Sequence, residues 1–414
     1  MSRIIVLGGC GAVGQHAVKT LVAIDEFSEV IIGDIDIEKA KKLKKEINHE
    51  SLRVKKVDAL DQEDIKKAIN DCDLVLNCTG PFYKFVPIIL KTVIETGINY
   101  VDICDDYDVT KKILDWDDKA KNANVSALIG MGSSPGVTNV LGKFCSDQLL
   151  DKVESIDIYH AHGGEPTEGP GVVYHRFHSM LLDIPMFLNG ELQFVKYFEE
   201  DGKALQEEVE FYKLKGKHRV YPYPHPEQIT IPRYIKDIKR VTNKGTVLPK
   251  EYYNLTRNIV KIGMVEEDPI IVPDINRNKA EIKPIDFAIS YVINQRDKIL
   301  EEVKFGEQRG CVKVVIKGIK KNKKHTYIFQ MASEGGQSMG EGTGIPAAFG
   351  AILMNQGKIK QKGVFPPEGG VKPLDFIDQM QKFLKLGKVG DEKAGSPLII
   401  DSIDEIGVSK RITF

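Results

Sequence analysis

The sequence predicts an α/β fold built on a doubly wound parallel sheet. Three observations predict it: a glycine turn joining a strand to a helix, an acid ending the next strand, and a βα rhythm that persists to about residue 150. Arg3–Leu7 is a short apolar run that leads into Gly8-Gly9-Cys10-Gly11-Ala12-Val13-Gly14. Gly9, Gly11 and Gly14 fit G-x-G-x-x-G, in which the first glycine makes the tight turn, the second admits a pyrophosphate to the backbone, and the third lets helix pack on strand. Ala12 and Val13 complete the phosphate cradle. Val13, Ala17, Leu21 and Ile24 recur at helical spacing, and the free N–H groups at such a helix start suit an anion. Val30–Asp34 is the second strand. Asp34 stands 20 residues beyond Gly14, where an acid binds the adenosine ribose hydroxyls. It would repel a 2′-phosphate, and neither Ile35 beside it nor Asp36 supplies a cation, so NAD is expected over NADP. Together these features form a Rossmann dinucleotide-binding unit.

With 414 residues and a formal net charge of -1, two or three domains are expected and nucleic acid is not. The longest basic run, Lys317 to His325, lies between two β-like runs and is expected to be a solvated hairpin tip. Six cysteines without a C-x-x-C pair indicate neither a disulfide framework nor a zinc knuckle. The amino terminus enters the first strand directly, and no apolar run has the length of a membrane span. A soluble protein of the reducing cytoplasm is expected.

Farther along, Ile37–Ile47 is a Lys-rich helix and Leu52–Val57 a strand, after which Asp58 and Ala59 are expected beside the adenine, with Asp61 capping the next helix. The apolar strand Asp73–Cys78 ends at Thr79-Gly80-Pro81, at the carboxyl edge where ligands of open sheets bind, and this loop is assigned to the nicotinamide ribose. Pro87–Glu95 reads as a helix and Tyr100–Cys104 as a strand followed by Asp105, Asp106 and Tyr107. Val109–Lys121 is helical, Val125–Gly130 a strand, and Met131–Gly136 the entry to a helix over Val137–Leu150. From Val153 the pattern alternates like a strand with one wet face, and an α+β domain begins. A glycine-rich turn at Glu341–Pro346 then starts an apolar helix, Ala347–Asn355, expected to return to the first domain.

Several motifs together carry a resemblance. GGCGAVG, NCTGPF after the fourth strand, GSSPGVTN, HPEQITIPR at His225–Arg233, TGIPAAFGAIL at Thr343–Leu353 and GVFPPEGGVKPLDFIDQM at Gly363–Met380 resemble the saccharopine dehydrogenase family, in the branch holding saccharopine reductase and lysine 6-dehydrogenase. The resemblance spans roughly residues 1 to 385. It implies a Rossmann domain of residues 1–136 completed by 342–386, an inserted α+β substrate-binding and dimerisation domain over 137–341, a homodimer, and NAD(P)-dependent oxidation of an amine. Residues 387–414 have no recognised counterpart.

Amine oxidation needs a base to hold the nitrogen deprotonated before hydride leaves, and an amino-acid substrate needs a cation for its carboxylate. Asp102, Asp105 and His178 are the candidates for base or proton relay. Arg176, in Tyr174-His175-Arg176-Phe177-His178, is the first choice for the carboxylate and Arg233 the second. His225 and Glu227 of the HPE element, and Tyr83 beside the nicotinamide loop, are placed in the substrate site, although each could equally brace its own loop. His160, His162, His175 and His178 form a group, but no carboxylate or cysteine follows at zinc spacing, and no metal is expected. Cys78 and Cys104 read as packing residues. The expected substrate is saccharopine, lysine or a related diamino acid; the alternatives are a carboxyalkyl polyamine and a nucleotide-binding scaffold without chemistry.

Overall fold

The computed structural model describes residues 2–165, 168–273, 275, 277–334, 338–386 and 398–412. The amino-terminal part runs β1 (Arg3–Leu7), α1 (Gly14–Ile24), β2 (Glu29–Asp34), α2 (Ile37–Ile47), β3 (Leu52–Lys56), α3 (Gln62–Ile69), β4 (Leu74–Asn77), α4 (Phe82–Thr96), β5 (Asn99–Asp102), α5 (Tyr107–Leu114), α6 (Asp117–Asn122), β6 (Ser126–Leu128) and α7 (Val137–Phe144), the last extended by a π turn over Cys145–Leu149. Next come β7 (Lys152–Gly163), α8 (Pro170–Leu181), β8 (Asp183–Leu188), β9 (Glu191–Lys196), α9 (Glu200–Ala204), β10 (Glu207–Glu210), β11 (Lys217–Pro222), α10 (Glu227–Tyr234), β12 (Arg240–Leu248), α11 (Lys250–Lys261), β13 (Ile270–Pro273), β14 (Lys279–Ile282), α12 (Pro284–Glu302), β15 (Arg309–Lys320) and β16 (Lys323–Glu334). The chain ends with α13 (Ser338–Asn355), β17 (Gly363–Phe365), α14 (Pro367–Gly370), α15 (Pro373–Lys385), β18 (Leu398–Ile403) and β19 (Ser409–Ile412).

The first sheet is parallel throughout, in the order β17-β6-β5-β4-β1-β2-β3. Its strands are apolar on both faces because helices cover both. Ile4 and Val6 pack with α1, α13 and α15, while Ile5 and Leu7 pack with α3 and α4. The strand order reverses between β1 and β4, which opens a crevice at the carboxyl ends. The second sheet runs β10-β11-β12-β7-β15-β16-β18-β19, with β8 and β9 attached beside β12. Part of the stretch after residue 387 therefore adds two strands to this sheet. The basic run is a hairpin tip as expected, with Lys321 and Asn322 at φ 52° and 63° turning β15 into β16. Among the described residues, no helix is long and apolar enough to cross a membrane.

Three helical stretches differ from the sequence reading, the first being Val109–Lys121, which forms two helices, α5 and α6. Helix α4 begins at Phe82, so Tyr83 lies in its first turn instead of a loop; the Tyr83 N–H, which has no partner within the helix, is taken by Asp106 Oδ2 at 3.0 Å. The glycines of 341–346 do not form a turn but lie within α13, where small residues let two helices meet backbone to backbone. A Cβ on Gly344 would come within 2.6 Å of the Val13 carbonyl oxygen and 2.9 Å of the Ala17 nitrogen. This contact seats α13 against the start of α1. Gly344→Ala is expected to cost about 1–3 kcal/mol through overpacking and to weaken coenzyme binding by shifting Val13. Thermal melts and coenzyme titration check this; unchanged melting would show that the helices part freely.

Candidate active site

The glycine turn builds the coenzyme end of the crevice. Gly8 takes the left-handed conformation, with φ 69°, and the Gly11 N–H donates to the Gly8 carbonyl at 3.1 Å, which places Gly9 within the tight turn; Gly9 also donates its own N–H to the Gly33 carbonyl. A Cβ on Gly14 would lie 2.1 Å from the Gly8 oxygen, so helix and turn can close only around a glycine there. Gly11 and Ala12 stay exposed at the helix start. The Asp34 carboxylate accepts from the Cys10 N–H at 3.2 Å and the Asp36 N–H at 3.1 Å, which orders the turn and leaves lone pairs for further donors. Ile35 projects 57% exposed beside it. Asp58 closes the turn after β3 by accepting from the Leu60 N–H, with buried Ala59 between them. At the end of β4, the Thr79 hydroxyl is buried without a partner among the described residues, and Pro81 precedes α4. An anion cradle, an acid on the β2 edge and an orphan hydroxyl at the β4 edge fit a nicotinamide dinucleotide laid across the crevice.

Beyond the β5 edge lies a charged cluster. Asp105, Asp106 and His175 present ligand atoms all within 4.8 Å of one another, and His175 Nδ1 is 3.3 Å from Asp106 Oδ1. A second group abuts it: Ser134, entering α7, donates to Glu227 Oε1 at 2.5 Å, Thr138 donates to the same oxygen at 2.9 Å, and His225 Nδ1 lies 3.2 Å from Glu227 Oε2. Asn243 of β12 donates to the Ser134 hydroxyl at 3.2 Å. The His225 ring stacks on His160 at 5.7 Å and meets Tyr223 at 5.2 Å. The site is thus composed where the carboxyl edge of the first sheet faces β7, β12 and α8. One sequence model, described as the saccharopine dehydrogenase NADP binding domain, matches residues 4–128, and a second, the saccharopine dehydrogenase C-terminal domain, matches residues 132–385.

The chain belongs to the saccharopine dehydrogenase family.

Family membership makes this an oxidoreductase that uses a nicotinamide coenzyme. It is 24% identical to the carboxyaminopropylagmatine dehydrogenase of Synechocystis sp. over 97% of this chain and 100% of that protein. Carboxynorspermidine synthase of Vibrio alginolyticus is 23% identical, over 95% of this chain and 97% of that one. Among solved structures, the apo saccharopine dehydrogenase (L-Glu forming) of Saccharomyces cerevisiae shares the fold, with a TM-score of 0.67 at 17% identity and full coverage of both chains.

Chemistry at this site depends on which groups can hold or release a proton. Burial by itself would lower the His175 ring, but the hydrogen bond to Asp106 and the charges of Asp105 and Asp106 outweigh it and raise the ring to about 9. Burial also raises Asp105 above the ordinary carboxylate range, against the pull of His175. At the second group, burial would raise Glu227, but the neighbouring His225 overcomes it and holds the carboxylate ionised, while His225 is raised in return. His160, buried beside two other histidines, is driven well below 6.5 and stays neutral.

Three sequence candidates take other positions. Asp102 is 0% exposed; its Oδ1 accepts from the Cys104 N–H at 3.0 Å and the Gly130 N–H at 2.7 Å, so it ties the ends of β5 and β6 together, and its Oδ2 is buried without a partner among the described residues. Arg176 is not offered to a substrate carboxylate: its guanidinium is buried, paired with Glu168, and donates to the Tyr252 hydroxyl at 3.3 Å. A buried arginine must be neutralised within the fold, and Glu168 does it. Arg233 is exposed in the last turn of α10, six residues beyond Glu227 and so roughly 9 Å farther along the helix. His178 and Tyr83 do come together, with rings 5.7 Å apart. His175, Asp106, Ser134 and Tyr223 were not assigned roles by the sequence reading. The acids after the fifth strand and H-R-F-H on one helix were the available signals, but nothing local says that the two meet.

Proposed function

We propose that the chain is an NAD-preferring dehydrogenase acting on the secondary amine of a carboxyalkyl polyamine. The observation that carries this is the Asp105–Asp106–His175 cluster at the β5 edge, next to the loop that would flank the nicotinamide. When bound, the coenzyme supplies or accepts the hydride. Asp105, raised above the ordinary carboxylate range by burial and so a stronger base than a free carboxylate, takes the proton of the amine in its ionised form, while Asp106 fixes the His175 ring. His225 and His175, both raised toward their charged forms, suit the substrate carboxylate, and Glu227 holds His225 in place. A cationic substrate is favoured over a plain amino acid because Arg176 is already neutralised and acids crowd the site. The reading is supported by the two relatives, which are named as a carboxyaminopropylagmatine dehydrogenase and a carboxynorspermidine synthase.

Purified protein with either nicotinamide coenzyme and a carboxyalkyl polyamine, saccharopine or lysine should change reduced-coenzyme absorbance with the first substrate. Turnover of saccharopine or lysine alone would overturn the polyamine reading, and tight coenzyme binding without any turnover would indicate a scaffold. NAD preference rests on Asp34, whose charge opposes a 2′-phosphate. Asp34→Ser combined with Ile35→Arg is expected to shift the NADP to NAD ratio of kcat/KM by about 10–100-fold, the worth of one charge-assisted hydrogen bond. An unchanged ratio would remove Asp34 from this role.

A further inference from the structure

Helix α8 carries two faces toward the site. His175 turns to Asp106, whereas Tyr174 and His178, four residues apart and therefore on one side of the helix, close on Tyr83 from α4. The Tyr83 and Tyr174 rings stack with centroids 6.1 Å apart, and His178 covers Tyr83 at 5.7 Å. The Tyr174 hydroxyl donates to Glu267, which is exposed and precedes β13. Tyr83 and Tyr174 are themselves half-buried, so the group forms a rim open to water and not a piece of core. Its link to the chemistry is short: the Tyr83 N–H is bonded to Asp106, and Tyr174 adjoins His175 in sequence. The proposed reaction uses none of these four side chains.

We propose that Tyr83, Tyr174, His178 and Glu267 form a recognition rim for the distal ammonium group of the polyamine, a reading that rests on the function proposed above and names what selects its substrate. An ammonium within about 6 Å of an electron-rich ring is attracted by the ring face, and the phenol that donates to a carboxylate presents a more electron-rich ring. Glu267, with lone pairs beyond the one Tyr174 uses, supplies the counter-charge. Substrates without a second cation leave the rim unused.

Two measurements test the rim. In steady-state assays with a carboxyalkyl polyamine, Glu267→Gln and Tyr174→Leu should each raise KM about tenfold, near 1.4 kcal/mol, with kcat within about twofold. KM for a carboxyalkyl monoamine should not move. Equal KM changes for both substrates, or none for either, would overturn the rim while leaving the dehydrogenase reading intact. Separately, calorimetry of coenzyme-saturated protein with spermidine should detect binding in the parent chain that Glu267→Gln weakens about tenfold. This binding needs no turnover, so it judges the rim even if the assay rejects the proposed reaction. Absence of spermidine binding to the parent chain, or equal binding to the variant, would overturn it.

Discussion

Asp105→Asn is expected to lower kcat by about 10²–10⁴-fold, the usual worth of a positioned proton acceptor, with coenzyme affinity unchanged. Asparagine keeps the shape and loses the proton site. Because burial holds the Asp105 carboxyl above its ordinary range, oxidation by the parent chain should rise with pH as this group ionises, and the variant should lose that limb of the profile. Asp106→Asn separates this role from mere support. Asp106 accepts the Tyr83 N–H and pairs with His175, so its loss should lower the His175 ring from about 9 and shift the alkaline limb instead. A kcat within threefold of the parent for Asp105→Asn would move the base elsewhere, with the His225–Glu227 pair as the next group to change.

What the sequence made legible was local. The proposed coenzyme cradle is one continuous stretch, Gly8 to Asp34, and its spacing alone predicted the turn, the helix start and the acid at the end of β2 that the structure shows. The candidate catalytic site is assembled from six separate stretches: the loop after β5, the entry to α7, β7 at His160, helix α8, the segment from Tyr223 into α10, and β12 at Asn243. Sequence could nominate Asp105, His225 and Glu227 because each lies in a turn at a strand end or in a distinctive motif. It could not show that Arg176, the most substrate-like cation by type and neighbourhood, would find Glu168 eight residues earlier, since that depends on where Glu168 sits beside α8. Nor could it show that Asp102 turns toward the end of β6. Strand alternation decides that, and a strand buried on both faces carries no polar signal for which side is which. The same holds for the glycines of α13, which mark a close helix crossing with α1 as readily as a turn until the partner backbone is in view.

Glu368 is expected to make the fold less stable as pH rises, and Glu368→Gln to remove that dependence. The carboxyl is 2% exposed; its Oε2 accepts from Asn139 at 2.8 Å, and its Oε1 has no partner within hydrogen-bond distance among the described residues. Burial raises it to about 7 from 4.5, against the weaker pull of Thr230, its own backbone and Asn139. Below pH 4.5 both the folded and unfolded chains hold the proton and the group is neutral to stability. Between 4.5 and 7 the unfolded chain releases it first, so stability falls with each unit, and by pH 8 the loss is complete at about 3 kcal/mol. Asp102, raised to about 6 by burial, adds to this fall, and His175, raised to about 9, prolongs it. Glu165 acts in the opposite sense at the acid end: His162 overcomes its burial and holds it at about 2, so its contribution is lost as pH drops from 4.5 toward 2. The parent chain should therefore melt highest on the acid side of neutrality. In Glu368→Gln the amide oxygen can still accept from Asn139 without any charge to bury, so its melting temperature should exceed the parent's at pH 8 and approach it at pH 5. Parallel pH dependence in the two chains would mean that water or a nearby cation reaches this carboxylate in the folded state.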